Sequence, residues 1–515
     1  MEGPPEVTEV TLSDEGDDER EHWQGRMTFI FAAIGSAIGL WNVWRFPYIA
    51  YDNGGGAFLI PYIIALVTTG IPLMALEFGL GYRFFSGAPK AFGSIDRRFA
   101  WVGWLSILVG FVIVCYYTVI LAWCLIYIIF AFSVSWGDSH GEIESFFFND
   151  FLNISGGPTE AGGFRFIVLA ALVILWFLIY MILSKGIKRV GKVVLITVPL
   201  PFILLGILFF RTITLPGAMD GIEYYLTPDA SKLGDGNVWM AAYGQVFFSL
   251  SLAQGVMIVY ASYLPKERAE INNNAIITSL ADSGLSFFAG FAVFSVLGFV
   301  AHEGGPAIGS GASGPHLAFV TYPLAISELG AGAAIFGIIF FIMLLSLGID
   351  SAFSMVEALS AGLVELGWPR ERAVLLFCTL GFGVGLLFVT GGGFFWLNIV
   401  DHYAAGVGLV LVGLLEVLVI GHLMRPGELR EFIDGHSEVK LGRWWEITIR
   451  YVTPIVLTVL ILWTLKDGME FSAETLSDEP PVEYPGWLVF VGGYGLLGLL
   501  IAIAMFLGWR YRRWA

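Results

Sequence analysis

The chain has 515 residues, 57% of them hydrophobic and 14% charged, with a formal net charge of −16. So little charge cannot cover a soluble domain of this size, which leaves lipid as the solvent. The acidic balance also excludes nucleic acid as a partner, because neutralising phosphates takes basic surface.

Residues 1–22 form an acidic arm containing Pro and lacking the basic start and small-residue cleavage site of a signal peptide, so it is expected to be retained and disordered. Apolar runs then recur at 27–50, 56–82, 99–133, 164–184, 189–210, 237–263, 274–301, 331–364, 371–390, 394–423, 447–465 and 486–509. A hydrocarbon core needs about 20 apolar residues per helix, so an all-α integral membrane protein with twelve transmembrane helices is expected. Lys and Arg crowd alternate loops, from Arg83, Lys90, Arg97 and Arg98 to Arg425, Arg430, Lys440 and Arg443. Those loops, and both termini, are therefore expected on the cytoplasmic side of the cell membrane. Cys115, Cys124 and Cys378 lie inside apolar runs, where a thiol behaves as a small hydrophobe, and no disulfide is expected.

Two runs are poor helix. The first, FAAIGSAIGLWNVWRFPYIA, carries two Gly, an Asn and an Arg at membrane depth, and the sixth, GQVFFSLSLAQGVMIVYASY, carries Ser249, Ser251, Gln254 and Gly255. Small residues of this kind also let helices pack closely. Their matched positions, five runs apart, are what two inverted five-helix repeats produce when the first helix of each half is unwound at mid-membrane. A half-helix starting after such a break offers a positive end to a carboxylate, and one ending before it offers free carbonyls to a small cation.

GLWNVWRFPYIAYDNGGGAFLIPYIIA followed by GIPLMALEFGLG resembles the first two helices of the neurotransmitter:sodium symporter family. The resemblance continues through Tyr116 and Tyr117, FFSLSLAQG, GPHLAFVTYPLAI, LSLGIDSAFS and Asp401, over nearly the whole chain. It implies a LeuT-like fold: 23–263 would hold the first repeat (to about 212) and the sixth helix, 264–424 the rest of the second repeat, and 425–515 the last two helices and tail. It also implies sodium-coupled symport of a small amino acid by alternating access, with two Na+ ions.

By that resemblance the first sodium would meet the Ala37 carbonyl, Asn42, Ser249 and Asp282, together with the substrate carboxylate. An alignment shifted by one residue puts Ala281 there instead, which has no ligand atom for a cation that wants oxygen. The second sodium would meet the carbonyls of Gly35, Ile38 and Leu347 and the side chains of Asp350 and Ser351. An Asp in the run IMLLSLGIDSAFSMVEAL is costly unless bound to a cation, paired or protonated, so the residues alone already mark it. The substrate carboxylate would lie near Gly39, Trp41 and Tyr117, with Ile113, Phe248, Ser251, Gln254, Ala352 and Met355 around its side chain. Gly39 stands where amine carriers have Asp, which favours a zwitterionic substrate.

Two residues depart from the family pattern. Trp41 replaces a common Gly, and Gln254 an aromatic or apolar residue; its amide is free to meet either a polar substrate group or neighbouring backbone. Chloride-binding members use groups that fall here on Tyr62, Gln245, Ser249 and Ser286, yet Asp282 puts a negative charge beside them, so chloride-independent transport is expected. Arg45 and Asp401 match the outer gate, and Arg20, Trp23 and Glu365 the inner one. Glu77 and Glu416 are further intramembrane carboxyls, read as protonated and bonded to backbone near an unwound helix, or as a proton relay. A sodium-dependent sensor that binds an amino acid without moving it uses the same residues. An enzyme is not expected, because the 7 His are scattered and no zinc spacing, nucleophile elbow or phosphate loop is present. The oligomeric state, monomer or homodimer, stays open.

Overall fold

A computed structural model describes residues 21–265, 269–304, 314–424, 426–469, 472–473 and 482–514. Apart from a pairing of the two-residue strands Ser472–Ala473 and Val482–Glu483, its regular elements are helices. The chain enters through a bent pair, α1 (Arg26–Ala37) and α2 (Trp41–Asp52), whose axes meet at 52°. Four helices long and apolar enough to cross a membrane follow, namely α3 (Gly56–Phe84), α4 (Ala100–Ala131), α5 (Phe166–Leu183) and α6 (Ile187–Thr212). Two shorter pieces come next, α7 (Gly236–Ser249) and α8 (Val256–Ala261). Six more helices of spanning length complete the described chain: α9 (Ile271–His302), α10 (Ala333–Val364), α11 (Arg370–Val389), α12 (Gly393–Leu423), α13 (Arg443–Lys466) and α14 (Gly486–Tyr511). The described helices thus include ten that pass as single spans and one bent pair that passes as an eleventh. Eleven of the expected spans agree with these to a few residues at each end; the remaining one, 237–263, corresponds to α7 and α8, which are not among the helices of spanning length, so the two interrupted runs are the two that come in pieces.

Each break has a local cause. At the end of α1, Ile38 turns extended (φ −67°, ψ 122°), and the Leu40 amide donates to the Tyr117 hydroxyl rather than to a helical carbonyl. Between α7 and α8, Ser251 (φ 51°), Ala253 (φ 63°) and Gly255 (φ 70°) are all left-handed. Gly tolerates this, whereas Ser and Ala adopt it at about 1–2 kcal/mol each. The surroundings hold them there: the Ala253 amide donates to Glu77 Oε1 (2.7 Å) and the Ser251 hydroxyl to the Ser36 carbonyl (2.8 Å).

The core lies along α4, which is buried over nearly its whole length and packs against α10. α6, α13 and α14 ring it and expose large apolar side chains, among them Ile203, Phe210, Leu462 and Phe506. Rows of that kind suit contact with lipid tails and would be an aggregation liability in water. The first described residues, the 183–187 turn and the start of α11 meet at one end of the bundle, where Arg370 Nε donates to the Leu183 carbonyl and the Ile187 amide to Glu21. This basic end carries Lys185, Lys188 and Arg189; the loop containing Gly314 lies at the other.

Candidate functional site

The two breaks face each other, and buried carboxylates flank them. Asp282 projects from α9 with no exposure. Its Oδ1 accepts from Asn42 Nδ2 (2.7 Å) and its Oδ2 from the Ser249 hydroxyl (2.7 Å). Asn42 Nδ2 also reaches Ser286 Oγ (2.8 Å), while its Oδ1 accepts from the Gly39 amide (2.8 Å) and so ties the site to the first break. Three side chains expected to share the first sodium are therefore in contact, and Ala37, expected with them, is the last residue of α1. In the same shell the Tyr62 hydroxyl donates to Ser283 (3.1 Å) and Gln245 Nε2 approaches the Trp41 carbonyl (3.5 Å).

Asp350 lies on the far side of α1, on α10. Gly35, Ile38, Leu347 and Asp350, four of the five residues expected around the second sodium, line one small cavity together with Thr197, Val198, Pro201 and Ser346. Its volume is about 10 Å³, room for about one particle the size of a water. Thr197 Oγ1 is 2.7 and 2.8 Å from the two Asp350 oxygens. The fifth expected residue, Ser351, donates to the carbonyls of Ser36 (3.1 Å) and Ile38 (3.2 Å). Gly35 is required: a Cβ there would come within 2.7 Å of Asp350 Oδ2 and 2.6 Å of Val198 Cγ2. Among the described residues no three His, Cys, Asp or Glu side chains gather, so each of these sites holds a single carboxylate amid hydroxyl, amide and carbonyl oxygens.

Between the carboxylates sits the space expected for substrate. Gly39 faces the Tyr117 and Ser351 hydroxyls, which would lie 3.2 and 3.3 Å from a Cβ at that position. Met355 and Gln254 both approach Gly110, which lies two turns from Tyr117 on the same face of α4. Ile113 and Ala352 are buried, and Phe248 stacks on Trp41 at 6.3 Å between ring centroids. Above them a cavity of about 190 Å³ is lined by Trp41, Arg45, Tyr116, Tyr117 and Asp401, and it extends to Gly314 and Pro315.

Arg45 and Asp401 share that cavity without forming an ion pair. The guanidinium lies over the rings of Trp41 (4.6 Å) and Phe248 (5.0 Å), and Asp401 Oδ1 accepts from the Tyr116 hydroxyl (2.5 Å). At the basic end Trp23 is buried; its Nε1 donates to the Tyr260 carbonyl (2.8 Å) and its amide to the Tyr263 carbonyl (3.0 Å). Arg20 lies outside the described residues. Glu365 accepts from the Gly87 amide (2.7 Å). A network absent from the sequence reading closes this end: Arg370 pairs with Glu357 (2.5 Å) and Glu21 (3.4 Å), and Glu357 also accepts from the Tyr263 hydroxyl (2.8 Å). Glu357 was detectable by the argument that marked Asp350, as a carboxylate deep in an apolar run. Thr197 gave no such signal. Glu77 braces the second break as described, and Glu416 is fully buried with no hydrogen bond to any described residue.

Residues 20–143 and 134–513 match the sodium:neurotransmitter symporter family. An uncharacterized sodium-dependent transporter of Methanocaldococcus jannaschii is 43% identical over 446 residues, 86% of this chain and 90% of the relative. The sodium- and chloride-dependent GABA transporter 2 of Homo sapiens is 34% identical over 532 residues, 95% of this chain and 86% of the relative. The sodium- and chloride-dependent taurine transporter of Bos taurus is 33% identical over 527 residues, 95% of this chain and 84% of the relative. Matches of this length run through both breaks and both carboxylates, and the chain belongs to the sodium:neurotransmitter symporter family.

Proposed function

We propose that the chain imports a small zwitterionic amino acid together with two sodium ions, by alternating access between the two ends of the bundle. Twelve spans in two inverted five-helix repeats, plus two further helices, with both termini cytoplasmic, are part of this reading. The observation that carries it is that two buried carboxylates flank the first break: Asp282, which holds Asn42 and reaches Ser249 at the second break, on one side, and Asp350, in the cavity with Gly35, Ile38 and Leu347, on the other. A buried carboxylate without a counter-charge is costly, and a sodium ion at each would supply one.

In this cycle sodium and substrate enter through the cavity under Arg45 and Asp401. The substrate carboxylate meets the first sodium and the Leu40–Tyr117 region, and Trp41, Phe248 and Arg45 close over it. Release begins at the second sodium, after which Trp23 and the Arg370–Glu357 pair separate. Coupling needs the loaded and empty states to favour opposite conformations, a difference of about 5.5 kcal/mol for a shift from 1:99 to 99:1.

Chloride independence is supported by how the surrounding donors are used. The Ser249 hydroxyl and the Asn42 amide are spent on Asp282, and an anion beside that carboxylate would meet like charge in a medium of low dielectric. The test of the whole reading is uptake of a radiolabelled amino-acid panel into proteoliposomes with and without an inward sodium gradient. Sodium-driven accumulation that Asp350→Ala abolishes supports symport. Sodium-dependent binding without accumulation would make the protein a sensor.

A further inference from the structure

The exposed face of α6 changes character once along its length. From Leu195 onward it presents Leu195, Ile196, Phe202 and Ile203, a row suited to lipid tails. Earlier on the same seam stand Lys192 and Lys188, and Lys185 lies just before the helix; all three are exposed. At 1.5 Å per residue, Lys192 and Lys188 are about 6 and 12 Å from Ile196 along the axis. A bilayer's headgroup layer is about 5–8 Å thick on each side of its hydrocarbon, so these lysines stand where lipid phosphates do. Their stems lean towards the helix start and carry the ammonium groups away from the tails.

The helix cannot turn this seam inward. Ile187, Val190, Gly191 and Val194 are buried on its other side, and a Cβ on Gly191 would come within 2.5 Å of Thr28 Cγ2 on α1. Nor are the three lysines used within the chain, since none makes an ion pair or hydrogen bond with any described residue. Neighbouring cations are engaged: Arg370 by Glu357 and Glu21, Arg26 by Asn274, and Arg189 by the Met181 carbonyl. With 43 acidic residues against 27 basic ones, carboxylates are not in short supply. The usual bias of Lys and Arg towards one side of a membrane accounts for their presence at this end. It does not account for three unpaired lysines gathered at the head of a lipid-facing seam.

We infer that Lys185, Lys188 and Lys192 form a binding site for the phosphate of an anionic phospholipid whose acyl chains lie along Leu195, Ile196 and Ile203. Each lysine near such a headgroup strengthens binding about fivefold. A phosphatidylglycerol-type lipid, with one net negative charge, fits the site; phosphatidylcholine, which carries its own cation beside the phosphate, does not. Binding of this kind is independent of what the chain carries.

The full chain in a non-ionic detergent is titrated with phosphatidylglycerol, with phosphatidylcholine of the same acyl chains, and with glycerol 3-phosphate, and the bound molecules are counted by native mass spectrometry. Phosphatidylglycerol is expected to bind about tenfold or more tighter than phosphatidylcholine, and glycerol 3-phosphate to be lost. Lys185→Gln, Lys188→Gln and Lys192→Gln together should reduce that preference about tenfold or more. Lys90→Gln with Arg372→Gln, exposed cations elsewhere at the basic end, should leave it within about twofold. Equal binding of the two lipids by the unmodified protein overturns the site, and this comparison needs no variant. An equal loss in both sets of variants would mean diffuse surface charge in place of a site. Retention of glycerol 3-phosphate as tightly as the lipid would overturn the lipid and leave a site for a soluble phosphate.

Discussion

Replacing Gly35 by Ala puts a methyl group 2.7 Å from Asp350 Oδ2 and 2.6 Å from Val198 Cγ2, where an ordinary contact is 3.4 Å or more. Both neighbours must retreat, Asp350 by about 0.7 Å and Val198 by about 0.8 Å, and overpacking of this size costs about 1–3 kcal/mol. Asp350 is the neighbour that matters, because its displacement would open the oxygen shell proposed for the second ion. If the cost falls on the sodium-bound state, sodium affinity drops by about 5- to 150-fold, at about 1.4 kcal/mol per decade. Sodium titrations of uptake in proteoliposomes and of thermal unfolding in detergent both read this. Gly206→Ala on α6 is the control, since nothing lies within 4 Å of its added Cβ. A Gly35→Ala protein whose half-saturating sodium stays within about twofold of the parent would refute the placement of a sodium ion beside Asp350.

Arg370→Ala strips the partner from a buried carboxylate at the basic end, a change that typically costs about 3–5 kcal/mol. Uptake should fall and a cysteine placed at Ala261 should be alkylated faster; unchanged alkylation would mean that the Glu357 pair does not hold this end shut. Asp282→Asn removes the fixed charge near Tyr62 and Ser286, so replacing chloride by gluconate should depress uptake by the variant and leave the parent unaffected. The reverse pattern would overturn chloride independence. In the loop between α9 and α10, burial and the neighbouring His140 lower the His316 imidazole to about 4, against the pull of Glu144 at 3.9 Å. Because the unfolded chain takes up this proton first, stability should fall as pH drops from about 6.5 towards 4. His316→Gln should flatten the thermal-unfolding profile over that range, and an equally steep profile would rule out His316 as its source.

Much of this architecture is legible in the sequence because lipid makes the code coarse. A run of about 20 apolar residues has few uses, and a Gly-rich or Ser-rich lapse inside one stands out against it. Asp350 is legible for the same reason, as a carboxylate where a carboxylate is costly, whereas Asp282 is reached through the family resemblance and the want of a ligand atom at Ala281. What is not legible is which side chain faces them from a distant helix. Thr197 is one Thr among many until α6 is laid against α10, and nothing in the order of residues ties Glu21 to Arg370. The inner end shows the limit most clearly. Family pattern assigns Glu365 there, where it accepts from the Gly87 amide, but gives no hint of Glu357, which holds the buried pairing with Arg370. Gln254 was open between backbone and substrate on sequence grounds, and its backbone alternative is absent among the described residues.

The Ser36 carbonyl stands one residue from the end of α1, where the break deprives it of a helical donor. Its two lone pairs are filled by the Ser251 hydroxyl from the second break and the Ser351 hydroxyl from α10. Three parts of the bundle therefore share one oxygen, and none can withdraw without exposing a bare acceptor to the others. A junction of this kind penalises half-steps. It makes the passage of an ion alone a harder event than the joint movement of everything the site contains, which is the property a carrier needs if its gradients are not to run down.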